Sequence, residues 1–142
     1  MLLVIAGAFG LAAAMETSGL ADAIARLLTS AFSALGSAGA LLGVVLATVA
    51  LTELVTNNAA AALMFPIALR VAADAGLEPR PFAIGIAIAA SCSFLTPIGY
   101  QTNTMVYGPG GYRFGDYARL GAPLTVLVVA TVVALVPVFW RM

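Results

Sequence analysis

Two uncharged polar segments, Thr56-Asn57-Asn58 and Thr96-Pro97-Ile98-Gly99-Tyr100-Gln101-Thr102-Asn103, interrupt runs that are otherwise apolar. Backbone that leaves the helix inside a bilayer strands N–H and C=O groups at a high cost in free energy. It persists only where protein, water or a ligand satisfies them. Two such breaks in one short chain point to a ligand pathway through a membrane.

The rest of the composition supports a bilayer setting. Of 142 residues, 63% are hydrophobic and 8% charged, and the mean hydropathy is +1.09; a soluble domain carries charge on about a quarter of its residues. No charge falls within Met1 to Met15, Leu27 to Thr52, Leu54 to Leu69, Pro81 to Tyr112 or Leu120 to Trp140. Stretches of about 18 or more apolar residues are candidate spans. Six arginines balance six acids, with no lysine or histidine, so there is no basic surface for nucleic acid and no imidazole for metal or proton relay. Phosphate loops, nucleophile elbows and carboxylates paired at a short helical spacing are also missing, which argues against an enzyme. The single Cys92 has no internal disulfide partner and reads as a small apolar side chain.

The chain divides at residue 35. Residues 1–35 predict a membrane helix, ended by Glu16-Thr17-Ser18-Gly19, and then an amphipathic segment. From Leu20 to Leu35, Asp22, Arg26, Thr29, Ser30 and Ser33 share one helical face, opposite Leu20, Ile24, Leu27, Leu28, Ala31 and Leu35. That pattern fits an interfacial arm helix and equally a helix packed on a protein neighbour. Asp22 stands four residues before Arg26, the favourable order for a helical ion pair.

Residues 36–142 predict a re-entrant hairpin over 40–73, a broken helix over 82–110 and a terminal membrane helix over 118–140. Only eleven uncharged residues separate Asn58 from Arg70, about 16 Å of helix and half of a hydrocarbon core. The second limb is therefore expected to turn back rather than cross, although two ordinary spans joined by a polar loop also fit. Phe82 to Leu95 is expected to be helical and to stop at Thr96-Pro97, where proline removes a donor and restricts its predecessor. Helix is expected again from about Thr104. Tyr112 to Arg119 reads as a polar loop, and Trp140 and Arg141 as an interfacial end.

The breaks set the candidate chemistry. Half-helix N-termini present free N–H groups and positive dipole ends, while unwound carbonyls coordinate a cation such as sodium. No fixed cation is near either break in sequence, so an anion would be held by Thr56, Asn57, Asn58 and neighbouring amides, with Thr102 and Asn103 as further donors. Pro97, Gly99, Tyr100 and Gln101 belong to the second break. Glu53 beside the first is either a functional intramembrane carboxylate or a cap for free amides. The asparagines and threonines also fit capping and interhelical bonding. Thr96-Pro97-Ile98-Gly99-Tyr100 is not a potassium filter, because proline interrupts the row of carbonyls that a filter needs.

At Thr52-Glu53-Leu54-Val55-Thr56-Asn57-Asn58-Ala59-Ala60 and at Ser91-Cys92-Ser93-Phe94-Leu95-Thr96-Pro97 through Asn103, the chain resembles the C-terminal repeat of the divalent anion:sodium symporters. These are the sodium-coupled sulfate and dicarboxylate transporters of the wider ion-transporter superfamily. The resemblance implies an all-α, multi-pass helical membrane protein with a re-entrant hairpin and a discontinuous helix, forming one inverted repeat. It implies sodium at Thr52, Asn57 and the carbonyls of Val55 and Gly99, and substrate oxygens at Thr56, Asn57 and Asn58. The tip reads Thr-Asn-Asn where the family has Ser-Asn-Thr, and Tyr100-Gln101-Thr102-Asn103 replaces Thr-Pro-Pro-Asn.

The function expected is sodium-coupled transport of a sulfate or dicarboxylate anion by the C-terminal part of a permease. Sodium is the coupling ion, and no cofactor is expected. The expected partners are the anion, sodium, the lipid bilayer, and an N-terminal repeat or a homodimer mate. The expected setting is the cell membrane, of bacterial inner-membrane type, with Arg113 and Arg119 in the cytoplasm and Arg141 outside. The alternatives are an arsenite or sodium/proton exporter of the same superfamily, or a non-transporting fragment or membrane subunit.

Overall fold

The computed structural model describes residues 2–140, and the helix and loop elements among them contain no strand. The expected all-helical class holds. Seven α-helices follow in order: α1 (Leu2–Thr17), α2 (Leu20–Ala31), α3 (Gly36–Thr52), α4 (Asn57–Asp74), α5 (Pro79–Ala89), α6 (Gln101–Tyr107) and α7 (Phe114–Phe139). A single 3-10 turn, Ser33–Leu35, leads into α3. Arg141, expected outside the membrane, lies beyond the described residues.

Helix α4 is central and packs against α1, α2, α3 and α5, while α7 packs on α5 and α3. The core joins Leu41, Val44 and Val45 of α3, Ile67 and Val71 of α4, Phe82 and Ile86 of α5, and Val132 of α7. Lipid tails are as apolar as leucine, so burial from water gives such helices little net attraction; close van der Waals packing holds them. Small buried residues at Ala21, Ala25, Ala40, Ala60, Ala68, Ala72 and Ala89 bring the backbones near one another. Ser33–Thr52 and Phe114–Phe139 are long and apolar enough to cross a membrane.

Three expectations are corrected. Asp22 does not pair with Arg26; it meets Arg70 of α4, with Nε 2.7 Å from Oδ1. Helix α2 turns Ala21 and Ala25 into the protein, packs Ile24 and Leu28 beside them and leaves Leu27 exposed. Arg70 lies within α4, as the hairpin expected over 40–73 requires. Its side chain is exposed beside Asp22, and the helix runs on to Asp74 before Gly76, at φ 66°, turns the chain. With 17 residues in α3 and 18 in α4, the two limbs are about 25 and 27 Å long. The hairpin expected over 40–73 corresponds to α3 and α4, and its re-entry into the membrane is a proposal.

The other two corrections concern the broken helix and the last helix. α5 starts earlier and ends earlier than expected, at Pro79 and Ala89, and α6 resumes at Gln101 rather than Thr104. Residues 90–100 are turns, bends and extended backbone. α7 begins at Phe114, inside the segment read as a loop, because the Asp116 carboxylate accepts from the Arg113 amide at 2.7 Å and caps its first turn.

Candidate functional site

Helices α3 and α4 are joined by Glu53 to Thr56, and this tip carries the first polar segment. Thr56 is the N-cap of α4; its backbone is extended and its hydroxyl accepts from the Ala59 amide at 3.4 Å. Asn57 and Asn58 are the first two helical residues, whose amides have no carbonyl four residues back to bond. The tip thus presents free N–H groups at the positive end of the α4 dipole. Thr56 and Asn58 are exposed, and Asn57 is half-buried.

At the end of α3, Thr52 is fully buried. Its hydroxyl donates to the carbonyl of Ala90 at 2.6 Å and lies 3.2 Å from Asn57 Oδ1. At the end of α5 the carbonyls of Ile88 and Ala89 are taken by the Ser91 and Cys92 amides of a tightened last turn, and that of the C-cap Ala90 by Thr52. The Thr52 contacts gather three neutral oxygens from α3, α4 and the α5 terminus. Oxygen donors are the chemistry that a hard cation such as sodium takes. Among the described residues there is no group of three His, Cys, Asp or Glu to hold a different metal.

Glu53 ties the two breaks together. Its carboxylate is 7% exposed and accepts from the amides of Leu95 and Thr96, each at 2.9 Å, and from the Thr96 hydroxyl at 2.8 Å. These amides would otherwise be orphaned in an apolar setting, at about 1–3 kcal/mol each. Of the two roles open to Glu53 in sequence, the structure displays the amide-capping one. Thr96 Oγ1 in turn accepts from the Gly99 amide at 3.2 Å. Gly99 is buried against the tip: a Cβ there would run into Ser93 Oγ and stand 3.1 Å from the Cα and Oε2 of Glu53. Glycine is required by this close approach, since Gly99 is not among the positive-φ residues.

The far side of the break is held by α6. Asn103 Nδ2 donates to the carbonyls of Ser93 and Thr96, at 3.0 and 3.2 Å, and the Thr104 hydroxyl donates to Pro97 O at 2.7 Å. Tyr117 of α7 donates its hydroxyl to Asn103 O at 2.9 Å. Side chains therefore satisfy the amides of Leu95, Thr96 and Gly99 and the carbonyls of Ala90, Ser93, Thr96 and Pro97, groups that a membrane interior would leave costly if unpaired.

The structure brings some of the expected site residues together and separates others. Val55, Thr56, Gly99 and Gln101 line one open groove of about 580 Å³ between the tip and α6, together with Leu54, Ile98, Thr104 and Met105. Thr52, Glu53 and Asn57 are not among the groove's lining residues, and Pro97 is buried in the break. Asn58 faces elsewhere, into a depression with Phe9, Phe65 and Ala87. Asn103 staples the break and lines a cleft with Tyr112 and Tyr117. Tyr100 and Thr102 are exposed. Ala90, Ser93, Thr96, Thr104 and Tyr117 were not singled out from sequence. Thr96 had a signal, in that it precedes a helix-breaking proline; an alanine carbonyl such as that of Ala90 has none.

Known proteins with the same pattern place this arrangement in context. The family model described as citrate transporter matches residues 1–142. An uncharacterized transporter of Synechocystis is 52% identical over 128 residues, covering 90% of this chain and 21% of its own length. A putative sulfur deprivation response regulator of Chlamydomonas reinhardtii is 48% identical, covering 87% of this chain and 21% of its own. Sodium/sulfate cotransporter 1 of the same alga is 44% identical, covering 87% and 14%. The chain thus spans about a fifth or less of the length of these relatives.

Proposed function

Because this chain belongs to the citrate transporter family, we propose that it supplies one half of the anion and sodium site of a sodium-coupled anion permease. The family is one of transporters and not of enzymes, the Synechocystis relative and the algal cotransporter carry transporter names, and the setting is a membrane. Sulfate is the anion best supported, since relatives 43–44% identical carry sodium/sulfate cotransporter names, and a dicarboxylate offers the same oxygen chemistry. Asn57 and the free amides at the start of α4 take the anion, and Thr52 and Asn57 oxygens take sodium beside it.

The observation that carries this reading is the convergence of Thr52, Ala90 and Asn57 directly behind a helix N-terminus. Sodium and anion bound there meet at Asn57, so each strengthens the other electrostatically, and by linkage the coupling is reciprocal. The Glu53 clamp makes tip and break one unit that moves together. The test is uptake of labelled sulfate, and of labelled succinate, into vesicles containing the natively encoded protein. Uptake should be driven by an inward sodium gradient and not by a potassium gradient of equal size; equal uptake in both would refute the sodium-coupled reading.

A further inference from the structure

We propose that the cleft between α6 and α7 holds the headgroup of a phospholipid bearing a primary ammonium, with Asp116 as counter-ion and Tyr112 and Tyr117 as aromatic walls. The cleft has a volume of about 290 Å³, and Asp116, Tyr112, Tyr117, Phe94, Leu120 and Leu124 are among its lining residues. None of these six lines the groove at the hairpin tip. Asp116 is the charged member of the lining and is half-buried. Its Oδ2 accepts from the Arg113 amide at 2.7 Å, and Oδ1 has no hydrogen-bond donor among the described residues. The ion pair among the described residues joins Arg70 to Asp22, so one oxygen of Asp116 stays open to a cation.

The rings beside that carboxylate are held in place. Tyr112 and Tyr117 meet edge-to-face with centroids 5.9 Å apart, and Tyr107 lies 6.1 Å from Tyr117 on another side. The Tyr112 ring rests on Gly110, where a Cβ would run into it, and the Tyr117 hydroxyl is spent on Asn103 O. Aromatic faces attract an ammonium electrostatically, and a carboxylate adds a charge-assisted hydrogen bond from its N–H groups. The position selects a lipid over a free amine. Helix α7 is long and apolar enough to cross a membrane, and the cleft lies along its first three turns, at the depth where tyrosines gather. Leu120, Leu124 and Leu127 are exposed at helical spacing below Asp116 and give an acyl chain a continuous track. Arg119, exposed and three residues after Asp116, shares its helical face and supplies the charge that a lipid phosphate takes.

The site needs a membrane but no particular transported ion, so it is tested by lipid binding rather than transport. The natively encoded protein, purified and delipidated in detergent, is titrated with dioleoyl-phosphatidylethanolamine and separately with dioleoyl-phosphatidylglycerol, and bound lipid is counted by native mass spectrometry. The ethanolamine lipid should bind at a lower half-saturating concentration than the glycerol lipid, which has the same chains and no ammonium. Asp116→Asn keeps an oxygen to accept from the Arg113 amide and removes the charge. It should raise the half-saturating concentration of the ethanolamine lipid at least about fivefold, the difference between a charge-assisted and a neutral contact, and leave the glycerol lipid no weaker. Tyr112→Leu, which keeps apolar bulk and removes the ring, should weaken the ethanolamine lipid in the same selective way, whereas Asp22→Asn, an acid lost from another face, should not. Asp116→Asn titrations that overlay the native protein overturn the proposal, as a cleft filled by another protein segment or by acyl chain alone requires. Equal loss of both lipids in Asp116→Asn overturns it too, because the ammonium would then play no part.

Discussion

Replacing Glu53 by glutamine keeps the shape of the side chain and removes one acceptor, so it measures what the clamp contributes. In the native protein one oxygen takes the Leu95 amide and the other takes the Thr96 amide and hydroxyl. The glutamine oxygen retains one side of this set, and its NH2 faces an N–H on the other. One buried amide loses its partner, at about 1–3 kcal/mol, and the remaining bonds lose their charge assistance. The segment is therefore destabilised by about 2–3 kcal/mol relative to the helices. When exchange proceeds through local opening, that corresponds to roughly 30- to 150-fold faster amide exchange. Hydrogen exchange read by mass spectrometry in choline chloride should show this over residues 91–99, with peptides of α7 unchanged as the internal control. A change below about threefold in a folded protein would show that Glu53 does not hold the break.

Two further substitutions probe the packing and the surface. Gly99→Ala drives a Cβ into Ser93 Oγ and against Glu53, and should destabilise by about 1–3 kcal/mol in thermal melts, whereas Gly115→Ala, with open space around its Cβ, should not. Asp22→Asn removes an ion pair whose side chains are 58% and 36% exposed. The expected loss is about 0.2–1 kcal/mol at low ionic strength, disappearing in high salt; a larger, salt-independent loss would mean that the pair is structural.

The helical class, the two breaks and the residues at the hairpin tip were legible because polar residues in apolar runs are rare and proline and glycine act locally. Helix ends were less so. Thr96-Pro97 was used to stop α5, yet the helix ends at Ala89, where the last turn tightens and Thr52, 38 residues earlier, takes the Ala90 carbonyl. The start of α7 was hidden in a polar run that reads as a loop until Asp116 caps it. Asn103 was assigned to substrate for its amide, and that amide is spent on the carbonyls of Ser93 and Thr96. The bond from Thr52 to Ala90 joins residues far apart in the chain, which no local pattern encodes.

The central claim is that the tip of the α3–α4 hairpin holds sodium and anion together at Asn57. Initial uptake of labelled sulfate by the natively encoded protein, titrated in both sodium and sulfate, tests it through Asn57→Ala. The account predicts that the half-saturating concentrations of sodium and of sulfate rise together by at least about tenfold, the equivalent of one lost charge-assisted contact to each. Unchanged values for both would contradict it and return Asn57 to the role of a helix-capping residue.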